Sequence, residues 1–361
     1  MENNTFQPIQ SSIIDHKIKK NQVFAYLLVN FGLTWLLDLA LYLSGGLQSQ
    51  VTGVALQLQM LIPAFSAMVL GVFFFKDSPL YRTTNRTISR WFVYYFMGFT
   101  ILYVVAAVLS FMKVDLALSL SQFLLFPSLV GLLLFIVLRI KGGREVFAKI
   151  NMSGGKAIRW LFYGLGLLLF IALQIFMNWV FKLGQPASQT MMELQAMASG
   201  MSPELLLLLA GVNTVVLGPF LGLLIAFGEE YGWRGYLQQE LTQLGRVRGV
   251  LLLGVIWGVW HWPVIWMGYN YPDQPLLGSL MMVLFCIALA FILAYAYFKT
   301  KSVWLCAFLH ALLNQSLSFF MGFVYTPTNI PFSFGMGLPG LALFGILILL
   351  LLRDPVWKMS D

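Results

Sequence analysis

The chain has 361 residues, of which 59% are hydrophobic and only 10% are charged, and its formal net charge is +8. Soluble domains carry charges on about 25% of their residues. The composition therefore excludes a soluble enzyme, a disordered chain and a disulfide-built secreted domain, and it predicts a membrane protein.

Ten apolar stretches are long enough, or nearly long enough, to cross a bilayer as a helix, which takes about 20 residues. In chain order they are 24–46, 51–75, 91–113, 116–138, 160–182, 204–228, 249–268, 277–298, 303–323 and 337–352. The stretches are continuous rather than alternating, which is typical of helices. The predicted fold class is all-α, a polytopic transmembrane helical bundle of about ten spans.

The Lys and Arg residues predict the orientation of these spans. If the N-terminus is cytoplasmic, most of the 22 basic residues fall in cytoplasmic loops and tails, and only Lys113 and Lys182 fall in loops on the other side. The positive-inside rule therefore predicts cytoplasmic N- and C-termini in a multi-pass protein of the cell membrane. The net positive charge follows from this topology and does not indicate nucleic acid binding.

Ionisable residues at membrane depth are concentrated in the second half of the chain. Each charge at the centre of a membrane helix costs roughly 2.5–3.5 kcal/mol on insertion scales. The segment FGEEYGWR, at 227–234, nevertheless contains three charged residues, and two of the three histidines, His261 and His310, lie inside apolar runs. Such residues in a chain with so few charges indicate a functional site.

Helical spacing separates the two adjacent glutamates. Glu230 and Arg234 are four residues apart, so they share a helix face and are predicted to form a structural ion pair. Glu229 is rotated by about 100° around the helix. It is therefore predicted to face a polar cavity without a committed counter-ion, where a carboxylate suits general-base chemistry.

Two further pairs have the same spacing. Trp257 and His261 are four residues apart, as are His310 and Asn314, so each pair shares one helix face. Taken singly, each of these side chains is more often packed or hydrogen-bonded to a neighbouring helix than functional. Their occurrence together with a free glutamate favours one shared site.

Between about 205 and 323 the sequence resembles the CPBP family, the CAAX proteases and bacteriocin-processing enzymes also called Abi. The family pattern is EExxxR, then FxxxH, then HxxxN, each on a membrane helix. The motifs are matched in order by Glu229, Glu230 and Arg234, by Trp257 and His261, and by His310 and Asn314. Trp257 replaces the Phe of the family pattern and keeps an aromatic cavity wall.

The resemblance implies an intramembrane endopeptidase, and the preferred interpretation of its mechanism requires no cofactor. Glu229 would activate a water molecule with help from His261. His310 and Asn314 would stabilise the oxyanion of the tetrahedral intermediate, a role worth about 2.7–4 kcal/mol per donor. The implied substrate is a membrane-associated peptide or protein tail in the lipid bilayer.

A metal-dependent version of the reaction stays open as an alternative. Glu229, His261 and His310 would form a His₂Glu zinc site with water in the fourth position. Such a site needs partners for each imidazole, and the sequence offers Asn314 and little else nearby. The HExxH signature of zinc proteases is also absent. The sequence therefore favours the metal-free glutamate mechanism over zinc.

Other functions compete with proteolysis. A non-catalytic membrane scaffold or bacteriocin-immunity protein would use the same helices. A proton-coupled transporter is less favoured, because neither inverted repeats nor paired broken helices are evident. The predicted divisions are a cytoplasmic tail (1–22), transmembrane helices of unassigned role (23–182), the catalytic intramembrane protease core (204–323), and the last transmembrane helix with a cytoplasmic tail (324–361).

Overall fold

The computed structural model describes residues 19–84, 86–112, 120–187 and 200–358. The predicted cytoplasmic tail, 1–22, lies almost wholly outside these ranges. The described residues are predominantly helical, which confirms the predicted all-α membrane bundle.

The α-helices of these ranges, in chain order, are α1 (Lys20–Leu43), α2 (Thr52–Val69), α3 (Pro79–Thr84), α4 (Arg90–Phe111), α5 (Leu120–Gly142), α6 (Arg144–Ala148), α7 (Ala157–Val180), α8 (Pro203–Gly211), α9 (Gly218–Leu221), α10 (Leu223–Glu230), α11 (Gln238–Leu241), α12 (Arg246–Trp260), α13 (Trp262–Trp266), α14 (Pro275–Thr300), α15 (Val303–Phe319) and α16 (Leu338–Leu351). Segments of π-helix continue several of them, at Leu70–Phe74, Val212–Leu217, Tyr231–Leu237 and Phe320–Val324. Strand β1 (Gly184–Pro186) pairs antiparallel with β2 (Tyr325–Pro327), which ties the end of α7 to the segment after α15.

Within the described residues, eight helices are long and apolar enough to cross a membrane. They are Lys20–Leu43, Thr52–Phe74, Arg90–Phe111, Phe123–Gly142, Ala157–Val180, Pro203–Leu221, Pro275–Thr300 and Val303–Val324. Each corresponds to one of the ten predicted stretches. The chain is therefore a multi-pass helical membrane protein.

The other two predicted stretches form shorter helices. The stretch at 249–268 divides into α12, which has 15 residues, and the short α13. Pro263 explains the division, because it has no N–H to donate to the carbonyl of Val259 and its ring crowds the preceding turn. The stretch at 337–352 forms α16, which has 14 residues and is shorter than a full span.

The sixth predicted stretch, 204–228, is also interrupted. It contains α8, a π-helical segment and α9, and α10 begins only after Gly222. Pro219 lies in α9, where its missing N–H removes one bond of the helical ladder. The glutamates therefore lie on a separate helix of eight residues.

Glycines bring α10 and the π-helix after it into direct contact with α2. A Cβ atom at Gly228 would lie 2.5 Å from the carbonyl oxygen of Met60, and one at Gly232 would lie 2.6 Å from the carbonyl carbon of Pro63. No larger side chain fits at such distances. This close approach places the middle of α2 beside the glutamates.

A similar contact holds α12 against α14. Cβ atoms at Gly254 and Gly258 would each lie 2.5 Å from a backbone Cα atom of α14, those of Ile287 and Val283 respectively. Small residues at helix contacts are the usual means of close packing inside a membrane. The end of α12, where His261 lies, is therefore held firmly relative to α14.

One face of α1 is both polar and buried. Tyr26, Asn30, Thr34 and Asp38 recur every four residues, and each is at most 2% exposed. The Nε1 atom of Trp260 donates a hydrogen bond of 3.0 Å to the hydroxyl of Thr34. This hydrogen bond joins α1 to the end of α12, next to the segment that carries His261.

Candidate active site

The three sequence motifs occupy helix ends and breaks. Glu229 and Glu230 are the last two residues of α10, and Arg234 lies in the π-helical segment that follows. His261 follows the last residue of α12, directly before the break that Pro263 causes. His310 and Asn314 lie one turn apart on α15.

All four predicted catalytic residues line one cavity of about 300 Å³. Glu229 and His310 are buried, with 2% and 6% of their surfaces exposed. His261 and Asn314 add to the polar lining, and Trp257 forms part of the wall. The structure therefore brings these residues from three different helices to one cavity.

The carboxylate of Glu229 is held by two neutral donors. The indole Nε1 of Trp257 donates to Oε2 over 2.8 Å, and that of Trp233 approaches the same oxygen at 3.4 Å. Within the described residues, Oε1 has no protein partner. Glu229 is thus oriented by one oxygen, and the other is available to a molecule in the cavity.

Glu230 joins two motifs through one oxygen atom. Its Oε1 lies 3.0 Å from Nη1 of Arg234 and 2.8 Å from Nδ1 of His310. The guanidinium of Arg234 also lies over the ring of Trp257, 4.3 Å from its centroid. The carboxylate of Glu230 is fully buried, so it makes no hydrogen bonds to bulk water. Arg234 and His310 replace those contacts with charge and hydrogen bonding from the protein.

The contact with Glu230 constrains the chemistry of His310. Nδ1 faces the carboxylate, so Nε2 is the nitrogen left for other contacts. The ring donates from both nitrogens only when it carries two protons. The adjacent carboxylate of Glu230 stabilises that charged form electrostatically.

His261 has a different environment. Its Nδ1 lies 2.8 Å from the backbone carbonyl oxygen of Trp257, one turn earlier, so Nδ1 carries a proton and donates it. In the neutral ring Nε2 is then an acceptor. The edge contact with Trp260, at 4.8 Å between centroids, fixes the plane of the ring.

Asn314 is the least constrained member of the set. It is exposed, and within the described residues its amide has no hydrogen-bond partner, although it lines the same cavity as His310. An amide of this kind can donate to an oxygen atom of a bound molecule.

Two side chains of the site were missed by the sequence analysis. Trp233 was not singled out, although it lies within FGEEYGWR, and Gln59 lies on α2, to which no role was assigned. Gln59 is 4% exposed, lines the same cavity, and its Nε2 has no hydrogen-bond partner. The available signal was an amide at membrane depth in the run LQLQM at 56–60, which is weaker than that of an ionisable residue.

The described residues do not assemble the zinc site considered as an alternative. Within 19–84, 86–112, 120–187 and 200–358, no three His, Cys, Asp or Glu side chains form a group that could hold a metal ion. The Nδ1 atoms of His261 and His310 contact the carbonyl of Trp257 and the carboxylate of Glu230, which are the kinds of partner that a metal-bound imidazole has. The described residues thus supply partners for both imidazoles, but their side chains do not form a three-ligand group.

We expect Glu230→Gln to destabilise the protein, because Arg234 and His310 would lose a buried charged partner. Removing one partner of a buried pair typically costs about 3–5 kcal/mol, and glutamine retains some hydrogen bonding, so about 3 kcal/mol is expected. Thermal unfolding in detergent measures the change. Exposed Glu145, changed to Gln, is the matched control, and equal melting of the two variants would contradict the structural role of Glu230.

Comparison with known proteins agrees with the site. Residues 211–316 match the family model described as "Type II CAAX prenyl endopeptidase Rce1-like". That range contains every motif residue from Glu229 to Asn314. A "CAAX prenyl protease 2" from Methanococcus maripaludis is 32% identical over 101 residues, which are 26% of this chain and 37% of that relative.

The alignment thus spans little more than a third of the relative's length, and a comparison with solved structures finds no significant match. The segment that matches the family model, 211–316, is nevertheless the one that carries all three motifs in order and supplies three of the helices around the cavity. Residues 211–316 are thus similar to the Rce1-like type II CAAX prenyl endopeptidases.

Proposed function

We propose that the protein is an intramembrane endopeptidase that hydrolyses peptide bonds of membrane-associated peptides or protein tails. The observation that carries this proposal is the convergence of Glu229, His261, His310 and Asn314 on one cavity of about 300 Å³. A carboxylate, two imidazoles and an amide around one space supply a general base and oxyanion donors. A scaffold function requires no such convergence.

In the proposed reaction Glu229 is the general base. Its Oε1 accepts a proton from a water molecule that Nε2 of His261 helps to orient. The oxygen of this water forms a bond to the scissile carbonyl carbon, and the carbonyl oxygen becomes an oxyanion. The C–N bond then breaks, and the proton passes from Glu229 to the leaving amine, which balances the reaction.

The oxyanion in this scheme is stabilised by His310 and Asn314. His310 donates from Nε2 in its doubly protonated form, which the contact between its Nδ1 and Glu230 supports. Asn314, one turn later on α15, donates from its unpaired amide. Loss of one such donor typically lowers kcat by about 10²–10³-fold.

Gln59 adds a contact from outside the family motifs. Its Nε2 is a buried donor without a partner. In the proposed reaction the other donors of this cavity, His310 and Asn314, bind the oxygen of the reacting carbonyl. Burying an amide without a partner costs free energy unless a ligand supplies an acceptor. We therefore assign Gln59 to a backbone carbonyl of the substrate next to the scissile bond.

The substrate class follows from the family and the setting. The relative from Methanococcus maripaludis is named a CAAX prenyl protease, so a prenylated C-terminal peptide is the first substrate to test. The cavity lies among membrane-spanning helices, which suits a substrate that is already held at the membrane.

We expect Glu229→Gln to lower peptide cleavage by about 10²–10⁴-fold, because glutamine cannot accept the proton of the attacking water. Purified variants are assayed with a fluorogenic farnesylated CAAX-type peptide, and membranes of cells with wild-type or Glu229→Gln protein are compared by peptidomics. Glu145→Gln is the control and should cleave normally. Retained activity in the Glu229 variant would exclude it as the general base.

We expect Gln59→Leu to lower kcat/KM by about 10-fold, chiefly through a higher KM, because one hydrogen bond to the substrate backbone is lost. Gln57→Leu is the matched control on the same helix. Gln57 lines a different cavity, where it accepts a hydrogen bond of 3.0 Å from Tyr103. An equal loss in both variants would indicate a packing effect on α2 instead of substrate binding.

We expect cleavage to persist after prolonged incubation with EDTA and 1,10-phenanthroline, because the proposed reaction uses no metal. The residual activity is measured after removal of the chelators, with and without added zinc. Inactivation that zinc reverses would replace the glutamate mechanism with a metal-dependent one.

A further inference from the structure

A second cavity, of about 730 Å³, lies apart from the candidate active site and is lined mostly by apolar side chains. Its walls are α5 and α7. Its floor includes Trp304 and Phe308 of α15 and Phe220 of α9. We refer to it as the α5–α7 groove.

The α5–α7 groove is open towards the surroundings of the helices. Ile136 on α5 is 51% exposed, Leu161 on α7 is 55% exposed and Phe220 is 49% exposed. Both wall helices are membrane spans. The medium at this opening is therefore the hydrocarbon of the bilayer, and a lipid chain can enter from the side.

One end of the groove carries a positive charge. Arg139, near the end of α5, lines the groove together with Gly154 and Gly155. Within the described residues Arg139 forms no salt bridge, and its Nε atom is buried without a hydrogen-bond partner. A guanidinium in this state retains donors for a ligand.

The backbone beside Arg139 leaves room for its side chain. The Cβ position of Gly154 would lie 3.4 Å from the Cζ atom of Arg139, so the guanidinium rests against a residue without a side chain. This distance is an ordinary van der Waals contact, so the guanidinium lies directly beside the backbone of Gly154. The polar end of the groove is thus built around this arginine.

The surrounding segment is strongly basic. Between 139 and 159 the sequence contains six Lys or Arg residues and one acidic residue, Glu145. Basic clusters at the end of membrane helices attract anionic lipid headgroups. Arginine in particular binds phosphate oxygens through two parallel hydrogen bonds.

We propose that the α5–α7 groove binds an anionic phospholipid, with its phosphate on Arg139 and an acyl chain along the apolar floor. A phosphate next to a long hydrocarbon chain matches both halves of the groove. This site does not depend on the proposed protease activity.

A lipid bound in the groove should also stabilise the position of α10, the helix that carries Glu229 and Glu230. Trp304 on the floor stacks on Phe227 of α10, with 4.2 Å between ring centroids and an angle of 18°. Phe227 precedes Glu229 by two residues. A lipid chain that fills the groove would therefore keep Trp304 and Phe227 packed, and it should raise the melting temperature of the protein.

Native mass spectrometry of the delipidated full chain, titrated with 16:0/18:1 phosphatidylglycerol or phosphatidylcholine, tests the proposal. We expect phosphatidylglycerol to bind about 10-fold more tightly than phosphatidylcholine and to raise the melting temperature. Arg139→Gln should weaken phosphatidylglycerol binding about 10-fold and leave phosphatidylcholine unchanged, whereas Arg139→Lys should recover part of the loss.

Arg144→Gln is the matched control, because Arg144 is exposed in the same basic segment and does not line the groove. Ala157→Trp, which fills the groove near Arg139, should reduce binding of both lipids. Equal effects of the Arg139 and Arg144 variants would reduce the result to general surface charge and overturn the proposal. Displacement of bound phosphatidylglycerol by an uncleaved farnesylated peptide would assign the groove to the substrate instead.

Discussion

A single carboxylate oxygen, Oε1 of Glu230, holds the centre of this structure together. It receives Nη1 of Arg234 from its own helical segment and Nδ1 of His310 from α15, 80 residues away. In a low-dielectric interior a charge that loses either partner is costly. Arg234 in turn lies over Trp257, whose indole orients Glu229. The positions of Arg234, His310 and Glu229 thus depend on one buried ionic contact.

The helices outside the family segment do more than enclose it. Close contact at Gly228 places α2 beside the glutamates, and this position delivers the unpaired amide of Gln59 to the cavity. On another side of the bundle, α5 and α7 flank a groove that ends at Arg139. Within a membrane such unpaired polar groups are retained where a ligand or water satisfies them. The N-terminal helices therefore line both cavities as well as packing against the family segment.

Much of the fold could be predicted from sequence because a bilayer imposes a simple length rule. Eight of the ten apolar stretches form candidate spans in the described residues. The rule failed where the backbone, and not hydropathy, ends a helix, as at Pro263 and Gly222. Hydropathy averages over a window, so it does not register one missing N–H group. These interruptions matter because His261 and the glutamates lie beside them.

The sequence alone determined the chain's class and the local geometry of its motifs, because hydropathy and the 3.6-residue period act within one helix. It predicted that Glu230 and Arg234 share a face and that Glu229 points elsewhere. Only the tertiary structure decided that Glu230 also binds His310, that Trp257 donates to Glu229, and that Gln59 enters the same cavity. Those contacts join residues on different helices, and helical period says nothing about which helices become neighbours. That choice depends on packing. In this protein, glycines such as Gly228 and Gly232 allow α2 to lie in direct contact with the segment that carries the glutamates.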